Sequence, residues 1–379
     1  MKRVAFLSEG RIGILEGGDI RTLSCTTAEK YREREREIRL RNQWKQSGAG
    51  AMFTGAYRHD NSDSLDIKMP VAGLSQGIDD RLVFTLNFDN GGGIYFKHPD
   101  PSEPETPILV DLKTKFYEVD VNPEGKVIVS FANNYLERNI AFLKVDSPYL
   151  QGITEGESSD SNPRWSRRDE DVIYYDSAGI NYDRSGQPAG FGPRSIYRLD
   201  TKTGQLDEVL AGDKFDYSHP FEDAQGNLYF IRKPYKQPTS GKMSALDYIK
   251  APGKIARAFG GWLDFKTRTY IGENLKTSGA NPAKGNSKSP QQLFVEGNLL
   301  EADKDLKRNA AAGDKNPGII PRDWELVVIR EGGEEVLQKA VMGYCVVDGG
   351  VAYSNGKYVI SDAGASKTHL ASKLVVING

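Results

Sequence analysis

The chain is poor in the residues that build metal sites and disulfide frameworks. Among 379 residues there are two cysteines, Cys25 and Cys345, and four histidines. The cysteines belong to no Cys-x-x-Cys pattern, and no two histidines form a His-x-His or His-x-x-x-His pair. This argues against a disulfide framework, excludes a zinc site carried by one helix, and leaves open only a site assembled from several strands. We expect no metal and no cofactor.

Long hydrophobic runs and a dominant charge are also missing. No stretch approaches the ~18 apolar residues of a membrane-spanning helix. The apolar run near the N-terminus stops at Ser8, too early for the core of a signal peptide. Fifty basic residues nearly balance 52 acidic ones, so the formal net charge is −2. We therefore expect a cytoplasmic protein with no membrane contact and no global attraction to nucleic acid.

Glycine and tyrosine are abundant instead. The chain has 40 glycines and 18 tyrosines, and hydrophobic residues make up 38 % of it. Many glycines and aromatics with few helical apolar stripes indicate numerous strands joined by tight turns. The composition therefore favours an all-β fold with a packed core.

One pattern recurs along the chain: a strand, a polar turn, and further strands that end in a hairpin. The clearest example has a strand ending at Trp165, a strand at Val172–Tyr175 and a hairpin turn at Thr201–Gly204. Similar polar turns occur at Asn122–Gly125 and Asp223–Asn227. The first strands of these units end about 45 to 55 residues apart, a period typical of β-propeller blades.

The clearest unit resembles the TolB/PD40-type WD40-like repeat. That repeat combines a Pro-x-Trp-Ser-x-Asp-Gly turn with a Tyr-x-x-Asp-x-x-Thr-Gly hairpin. The matching positions are Pro163, Trp165, Ser166, Tyr197, Asp200, Thr203 and Gly204. The sequence departs from the repeat where Arg168-Asp169 replaces the usual Asp-Gly. The resemblance implies a propeller and no catalytic residue, since such repeats occur in periplasmic translocation factors, peptidase gating domains and free-standing binding modules.

We therefore predict one closed β-propeller domain over residues 1–379, with about six blades. Seven blades stay possible if residues 50–70 form a partial sheet. The C-terminal strand Leu374–Ile377 should pair with a strand within residues 3–23, because ring closure removes exposed sheet edges. The expected blades cover residues 1–25, 71–113, 115–154, 157–211, 214–340 and 341–379.

A charged surface helix is predicted over residues 26–46, after the first strands. Thr26 and Glu29 have the spacing of a capping box. Trp44 belongs to a thin apolar stripe on this helix. Two roles stay open, a plain surface helix and a helix that contacts a partner.

A long, partly helical basic insertion interrupts the fifth blade at residues 234–321. Between residues 232 and 308 there are fifteen Lys or Arg and seven Asp or Glu. We expect helices near 243–259 and 297–312, and we expect the insertion to be separable from the ring. The residues of the insertion that we expect to make contacts are Arg257, Trp262, Lys266 and Arg268. Three roles stay open for them: binding a partner protein, packing against the rest of the chain, and binding an anionic polymer.

Catalytic motifs are scarce. The sequence has no phosphate-gripping loop, and its one Gly-x-Ser-x-Gly, at Gly73–Gly77, lies in a predicted strand-turn-strand segment and not at a strand-to-helix turn. Side chains at the mouth of a propeller channel are the remaining candidates for a ligand site. They are Glu155, Glu157, Asp160 and His219.

The leading hypothesis is a non-enzymatic scaffold that binds a partner protein through the rim helix and the insertion. The alternative is a hydrolase or lyase with its site in the central channel, because dispersed residues of several blades can converge there. A weaker alternative is nucleic-acid binding through the basic insertion.

Overall fold

The structure is a computed structural model in which the strands form successive antiparallel sheets around a centre. It describes residues 3–42, 71–88, 91–132, 134, 136–143, 149–182, 186, 188–236, 292–295, 298–347 and 350–377.

The strands follow one another blade by blade along the chain. The first three are β1 (Arg3–Ser8), β2 (Arg11–Glu16) and β3 (Asp19–Leu23). Blade 2 contains β4 (Val71–Gln76), β5 (Leu82–Asn87), β6 (Gly92–Lys97) and β7 (Thr106–Asp111). Blade 3 contains β8 (Lys115–Val121), β9 (Val127–Ala132), β10 (Asn139–Leu143) and β11 (Leu150–Gly152). Blade 4 contains β12 (Ser158–Trp165), β13 (Val172–Tyr182), β15 (Ser195–Asp200) and β16 (Leu206–Leu210), with β14 (Pro188–Phe191) paired to β13.

The later strands complete the ring. Blade 5 contains β17 (Phe215–Glu222), β18 (Leu228–Pro234), β21 (Glu325–Arg330) and β22 (Gly333–Lys339). Blade 6 contains β23 (Gly343–Val347), β24 (Gly350–Ser354), β25 (Tyr358–Ser361) and β26 (Gly364–Lys367). The last strand is β27 (Ser372–Ile377), and β19 (Gln292–Val295) and β20 (Asn298–Glu301) form a separate hairpin.

Blade 1 joins the two ends of the chain. Its strand order is β27-β1-β2-β3, so the C-terminal strand takes the innermost position. Strands β27 and β1 are antiparallel, with Ile377 opposite Arg3 and Val375 opposite Ala5. This confirms the predicted pairing of the two ends.

The described strands form a six-bladed β-propeller, as predicted. Inner strands of neighbouring blades contact one another from β27 through β4, β8 and β12 to β17, and β23 contacts β27. The Tyr344 hydroxyl of β23 donates a hydrogen bond of 2.6 Å to the His219 carbonyl oxygen of β17, which closes the ring. Residues 50–70, where a seventh partial sheet was conceivable, lie outside the described residues.

Apolar side chains fill the spaces between neighbouring blades. Trp165, which is 2 % exposed, stacks on Phe142 of blade 3 with ring centroids 5.4 Å apart. Phe230 of blade 5 packs in one buried cluster with Tyr174 and Ile196 of blade 4. The tryptophan of the repeat motif is therefore a core residue that joins two blades.

Aspartates shape the predicted turns. In the turn between β17 and β18, Asp223 Oδ1 accepts hydrogen bonds from the backbone N–H groups of Gln225 and Asn227, both at 2.9 Å. Gly226 has a φ of +84°, which glycine adopts without steric cost. In the turn where the repeat motif lacks its glycine, Ser166 Oγ accepts from the N–H groups of Arg168 and Asp169.

Helix α1 (Thr26–Asn42) lies within the predicted span 26–46 but has a different cap. The Glu105 carboxylate, on the residue before β7, accepts hydrogen bonds from the N–H groups of Thr26 and Thr27 at 2.9 and 3.1 Å. A side chain from blade 2 thus replaces the predicted capping box of Thr26 and Glu29. Trp44 lies outside the described residues. No helix among those described is long and apolar enough to cross a membrane.

The end of the insertion packs against the ring. Helix α2 (Ala302–Ala311) follows the hairpin β19–β20 and lies within the expected helix 297–312. Leu300 and Ile320 belong to one buried cluster with Trp324 and Met342 of the ring. This end of the insertion is therefore part of the core, unlike the separable insertion that we expected. The expected helix 243–259 lies outside the described residues.

Candidate functional site

A cavity of about 240 Å³ lies at the centre of the ring, where inner strands of several blades meet. Side chains and backbone of β4, β12, β17, β23 and β27 line it, together with the turn after β12. The charged or ionisable residues in its lining are Arg164, Arg167, His219, Tyr344, Cys345 and Lys373.

Local backbone distortions shape the cavity wall. Asn162, His219 and Lys373 have φ values of +51°, +57° and +50°, the left-handed region that non-glycine residues rarely adopt. Each lies at a register shift in its inner strand, on β12, β17 and β27 respectively. Such bulges redirect side chains from the regular alternation of a strand. The three residues consequently all line the cavity.

Asp120 of β8 is a fully buried carboxylate behind the cavity wall. Its Oδ1 accepts from Ser75 Oγ at 2.8 Å, Arg167 Nη2 at 3.0 Å and Arg164 Nη1 at 3.2 Å. Its Oδ2 accepts from the Trp165 N–H at 2.9 Å and from Arg167 Nη2 at 3.1 Å. Burial alone would raise the pKa of Asp120, but the two guanidinium groups and these hydrogen bonds lower it.

Glu118, two residues earlier on β8, is a second buried carboxylate. Lys373 Nζ lies 3.2 Å and Arg138 Nη1 3.9 Å from its Oε1. Burial acts to raise the pKa of Glu118, and the two cations overcome this and lower it to about 2. The side chain is therefore an ionised counter-charge at neutral pH. Its Oε2 accepts no hydrogen bond from the described residues.

A chain of polar contacts extends from Lys373 through blade 4 to blade 5. Lys373 Nζ donates to Asn162 Oδ1 at 2.7 Å, and Asn162 Nδ2 donates to Asp176 Oδ2 at 2.7 Å. The same Asp176 oxygen accepts the His219 N–H at 2.8 Å, and Arg194 Nη1 lies 2.6 Å from Asp176 Oδ1. The inner strands of three blades are thus tied together by buried polar groups.

Cationic side chains line the cavity, and two of them share one carboxylate. Three buried carboxylates contact residues of its lining, namely Glu118, Asp120 and Asp176. The cations that pair with these carboxylates are Arg138, Arg164, Arg167, Arg194 and Lys373. Arg164 and Arg167 both pair with Asp120, and these two and Lys373 present positive charge to the cavity.

Two nucleophilic side chains of the lining, Cys345 and Tyr344, are held in their neutral forms. Burial raises the pKa of the Cys345 thiol to about 12. Burial likewise raises the pKa of the Tyr344 hydroxyl well above its ordinary value. A reactive cysteine needs a lowered pKa, so this environment favours packing over nucleophilic chemistry at Cys345.

The structure separates the four channel-mouth candidates. His219 lines the cavity, with Nδ1 3.2 Å from Ser218 Oγ. Asp160 is buried and accepts hydrogen bonds from the hydroxyls of Ser158 and Ser177, at 2.9 and 2.6 Å. Glu155 and Glu157 are exposed between β11 and β12. These three acidic residues do not line the cavity.

Other predicted contacts lie outside the described residues: Arg257, Trp262, Lys266 and Arg268 of the insertion, and Trp44. Within the described part of the chain, no group of three or more His, Cys, Asp and Glu side chains is placed to hold a metal ion.

Sequence reasoning missed the cations and carboxylates of the network. A signal was present in β8, where Glu118 and Asp120 alternate with Val119 and Val121 in a strand that begins a blade. Arg164 is the variable residue inside the Pro-x-Trp motif. Arg164 lines the cavity and the two carboxylates are buried behind its lining, but the sequence does not show which cation of another blade pairs with which carboxylate.

Several solved structures are similar to this chain at low sequence identity. No family model and no curated protein matches the chain. TolB from Acinetobacter baumannii has 11 % identity over 99 % of this chain and 66 % of its own, with a TM-score of 0.48. The tricorn protease has 11 % identity over 96 % of this chain and 31 % of its own, with a TM-score of 0.42. A puromycin hydrolase has 14 % identity over 43 % of this chain and 25 % of its own, with a TM-score of 0.32.

The chain thus spans just under two thirds of the length of that TolB and less than a third of the two enzymes. These similarities concern the fold alone. The six blades in the described residues agree with the TolB/PD40-type resemblance of the sequence. The described residues form a six-bladed β-propeller.

Proposed function

We propose that this chain is a non-enzymatic interaction module that binds a partner protein, with the ring as a rigid platform and the cation-lined cavity as a recognition site. The observation that carries this proposal is the ion-pair network around Asp120 and Glu118. It fixes cationic side chains of several blades in place before any ligand arrives. Preorganised groups lose little conformational freedom on binding, which favours affinity.

The protonation states of the network support binding over acid–base catalysis. A general acid or base works best with a pKa near the working pH. The pKa values of Glu118 and Asp120 are lowered, so both carboxylates stay ionised and paired at neutral pH. They serve as counter-charges for the cations that line the cavity.

The rim helix offers a second contact surface. Tyr31 of α1 packs on Phe88 with ring centroids 5.1 Å apart, which attaches the helix to blade 2. Ile38 and Leu40 are 41 % and 49 % exposed. The predicted contacts of the insertion and the cytoplasmic location stay parts of this proposal that rest on the sequence alone.

A bait experiment tests the proposal. The purified chain would be immobilised, and proteins retained from an extract of its native cells would be identified and then produced in pure form. We expect one pure protein to bind in calorimetry, and we expect Arg164→Gln to weaken that binding. Arg198→Gln is the matched control, because Arg198 lies in the same blade and pairs with Asp207 away from the cavity. If no retained protein binds as a pure pair, the proposal fails.

A channel enzyme is the second candidate, and the position of His219 favours it. Its ring lines the cavity beside Tyr344 and Cys345. A panel of ester, peptide and uronide substrates would test this reading. Turnover that His219→Gln abolishes, with an unchanged melting temperature, would replace the binding proposal with a hydrolase or lyase.

A further inference from the structure

We propose that the central cavity is a carboxylate-binding site, in which Arg164, Arg167 and Lys373 receive the anionic group and the apolar wall receives the hydrocarbon part attached to it. This deepens the proposed function and rests on it in one respect: the carboxylate is taken to belong to the partner protein, as its chain terminus.

More hydrogen-bond donors surround the buried carboxylate of Asp120 than it can fully accept. A carboxylate offers about four lone-pair sites, and Asp120 already receives five contacts from four donor groups. Arg167 contacts both carboxylate oxygens through one nitrogen, Nη2. Arg164 contributes one contact of 3.2 Å, the longest of the five. The hydrogen-bonding capacity of Asp120 is therefore filled even without the contact from the Arg164 guanidinium.

Arg164 keeps donor groups for a ligand. Its Nη1 contact with Asp120 is the one hydrogen bond that its guanidinium makes with the described residues. The side chain is 21 % exposed and lines the cavity. A guanidinium has five N–H donors in a planar fork that matches the two oxygens of a carboxylate. An anion in the cavity can therefore bind Arg164 without breaking the ion pair with Asp120.

The charge balance favours an anion over a neutral ligand. Arg164 and Arg167 both pair with one carboxylate, Asp120, so this group of three side chains carries one net positive charge. Arg164 and Arg167 are 21 % and 27 % exposed, so this charge lies in a partly water-excluded space. Electrostatic attraction is stronger there than in bulk water.

The rest of the lining selects the class of anion. Apolar residues also line the cavity, namely Phe221, Pro220, Val346, Leu374 and Val376. A free phosphate would leave these residues without contacts, whereas an apolar residue that carries a carboxylate would contact both them and the cations. The cavity volume of about 240 Å³ is below the usual range for drug-sized ligands and fits one or two residues. The geometry thus points to a chain terminus with an apolar last residue.

Calorimetric titration of the whole chain with four small probes tests the site. N-acetyl-leucine carries the carboxylate and an apolar side chain, and N-acetyl-leucinamide is its neutral counterpart. Isovalerate represents a free carboxylic acid, and N-acetyl-Gly-Gly-Leu represents a chain terminus. We expect N-acetyl-leucine to bind and its amide to bind at least tenfold more weakly, because the amide cannot form charge-assisted hydrogen bonds.

Three variants assign the binding to this cavity. Arg164→Gln should weaken N-acetyl-leucine binding about tenfold to a hundredfold, since it removes charge-assisted hydrogen bonds worth about 1.5–3 kcal/mol. Arg164→Lys keeps the charge but lacks the planar fork, so its affinity for N-acetyl-leucine should lie between those of Arg164→Gln and the wild type. Arg198→Gln should bind like the wild type. Melting temperatures of all three show whether the ring is intact.

Each outcome decides something. Equal affinity for the acid and the amide, or wild-type affinity in a folded Arg164→Gln, overturns the carboxylate site. Tighter binding of the tripeptide than of isovalerate supports a chain terminus, and the reverse order overturns that assignment in favour of a small acid. If the carboxylate probes bind but no protein partner is found, the carboxylate site is supported and the proposed function fails. If a partner binds but the acid binds no better than the amide, the proposed function is supported and the carboxylate site fails.

Discussion

Lys373 Nζ lies 3.2 Å from Glu118 Oε1, and the two residues are separated by 255 positions in the sequence. Lys373 is on β27, the strand that closes the ring, whereas Glu118 is on the inner strand of blade 3. Both side chains are largely buried, at 10 % and 5 % exposure. The closing strand therefore contributes a charge to the centre of the ring as well as a hydrogen-bonded edge to blade 1.

Lys373→Met should destabilise the protein, because it leaves the Glu118 carboxylate buried with Arg138 as the nearest remaining cation, at 3.9 Å. Breaking a buried ion pair typically costs about 3–5 kcal/mol of unfolding free energy. Urea unfolding followed by tryptophan fluorescence measures the loss. The double variant Lys373→Met/Glu118→Gln should recover part of it, since no buried charge is then left uncompensated.

Lys126→Met is the matched control for this prediction. Lys126 pairs with Glu124 at 2.8 Å, but both side chains are about half exposed. Exposed ion pairs contribute about 0–1 kcal/mol. Equal losses for Lys373→Met and Lys126→Met would contradict a structural role for the buried pair.

The lowered pKa of Glu118 predicts a specific acid sensitivity. Its pKa is about 2 in the folded protein, against an ordinary value of 4.5. A group with a lowered folded-state pKa contributes stability above its unfolded pKa and loses it as the pH falls toward the folded pKa. Glu118 should thus contribute on the order of 3 kcal/mol at neutral pH, which is lost between about pH 5 and pH 2.

Unfolding free energies across that window measure the effect. The wild type should lose more stability on acidification than Glu118→Gln, whose amide does not titrate. The difference between the two proteins should be nearly constant above about pH 5.5, because Glu118 is ionised there in both the folded and the unfolded states. Parallel pH profiles over the whole range would rule out this assignment.

The sequence predicted the architecture well because the architecture depends on local patterns. Turn residues such as Asp223 and Gly226 act on their own backbone, and the strand at Leu374–Ile377 is apolar in the expected places. The cavity depends on pairs from different blades, such as Asp120 with Arg167. The partners in such a pair have no fixed separation in the sequence. Sequence analysis therefore identified His219 as a candidate but none of the ion pairs beside it.

The cap of helix α1 illustrates the same limit. Thr26 and Glu29 have the spacing of a capping box, yet Glu105, just before β7, binds the first N–H groups of the helix. A carboxylate at this position also meets the positive end of the helix dipole. The helix is thus capped by a residue about 80 positions away in the sequence and not by the local capping box, and no local pattern predicts such a distant cap.

Glu105→Gln should therefore loosen the start of α1 and weaken the blade beside it. Lys97 is 1 % exposed and its Nζ lies 3.4 Å from Glu105 Oε1, so the substitution removes the buried counter-charge of Lys97. We expect a loss of about 1–3 kcal/mol in unfolding free energy. The N–H groups of Thr26 and Thr27 should also exchange faster with solvent. Glu103→Gln, two residues earlier on an exposed side chain, should change neither quantity.

Leu300 tests whether the end of the insertion belongs to the ring. This residue is 2 % exposed and shares a buried cluster with Trp324, Met342 and Leu370, which lie near blades 5, 6 and 1. Leucine-to-alanine changes in a core cost about 2–5 kcal/mol, because apolar contacts are lost and a cavity remains. Leu300→Ala should lower the urea midpoint of the whole propeller accordingly.

Leu206→Ala provides the comparison, because Leu206 has the same side chain on the ring but is 53 % exposed. Its truncation should change the unfolding free energy by less than about 0.5 kcal/mol. A single unfolding transition that shifts for Leu300→Ala and stays for Leu206→Ala would show that the hairpin β19–β20 unfolds together with the blades. If both variants keep the wild-type midpoint, the end of the insertion is independent of the ring, and the separable insertion expected from the sequence is correct after all.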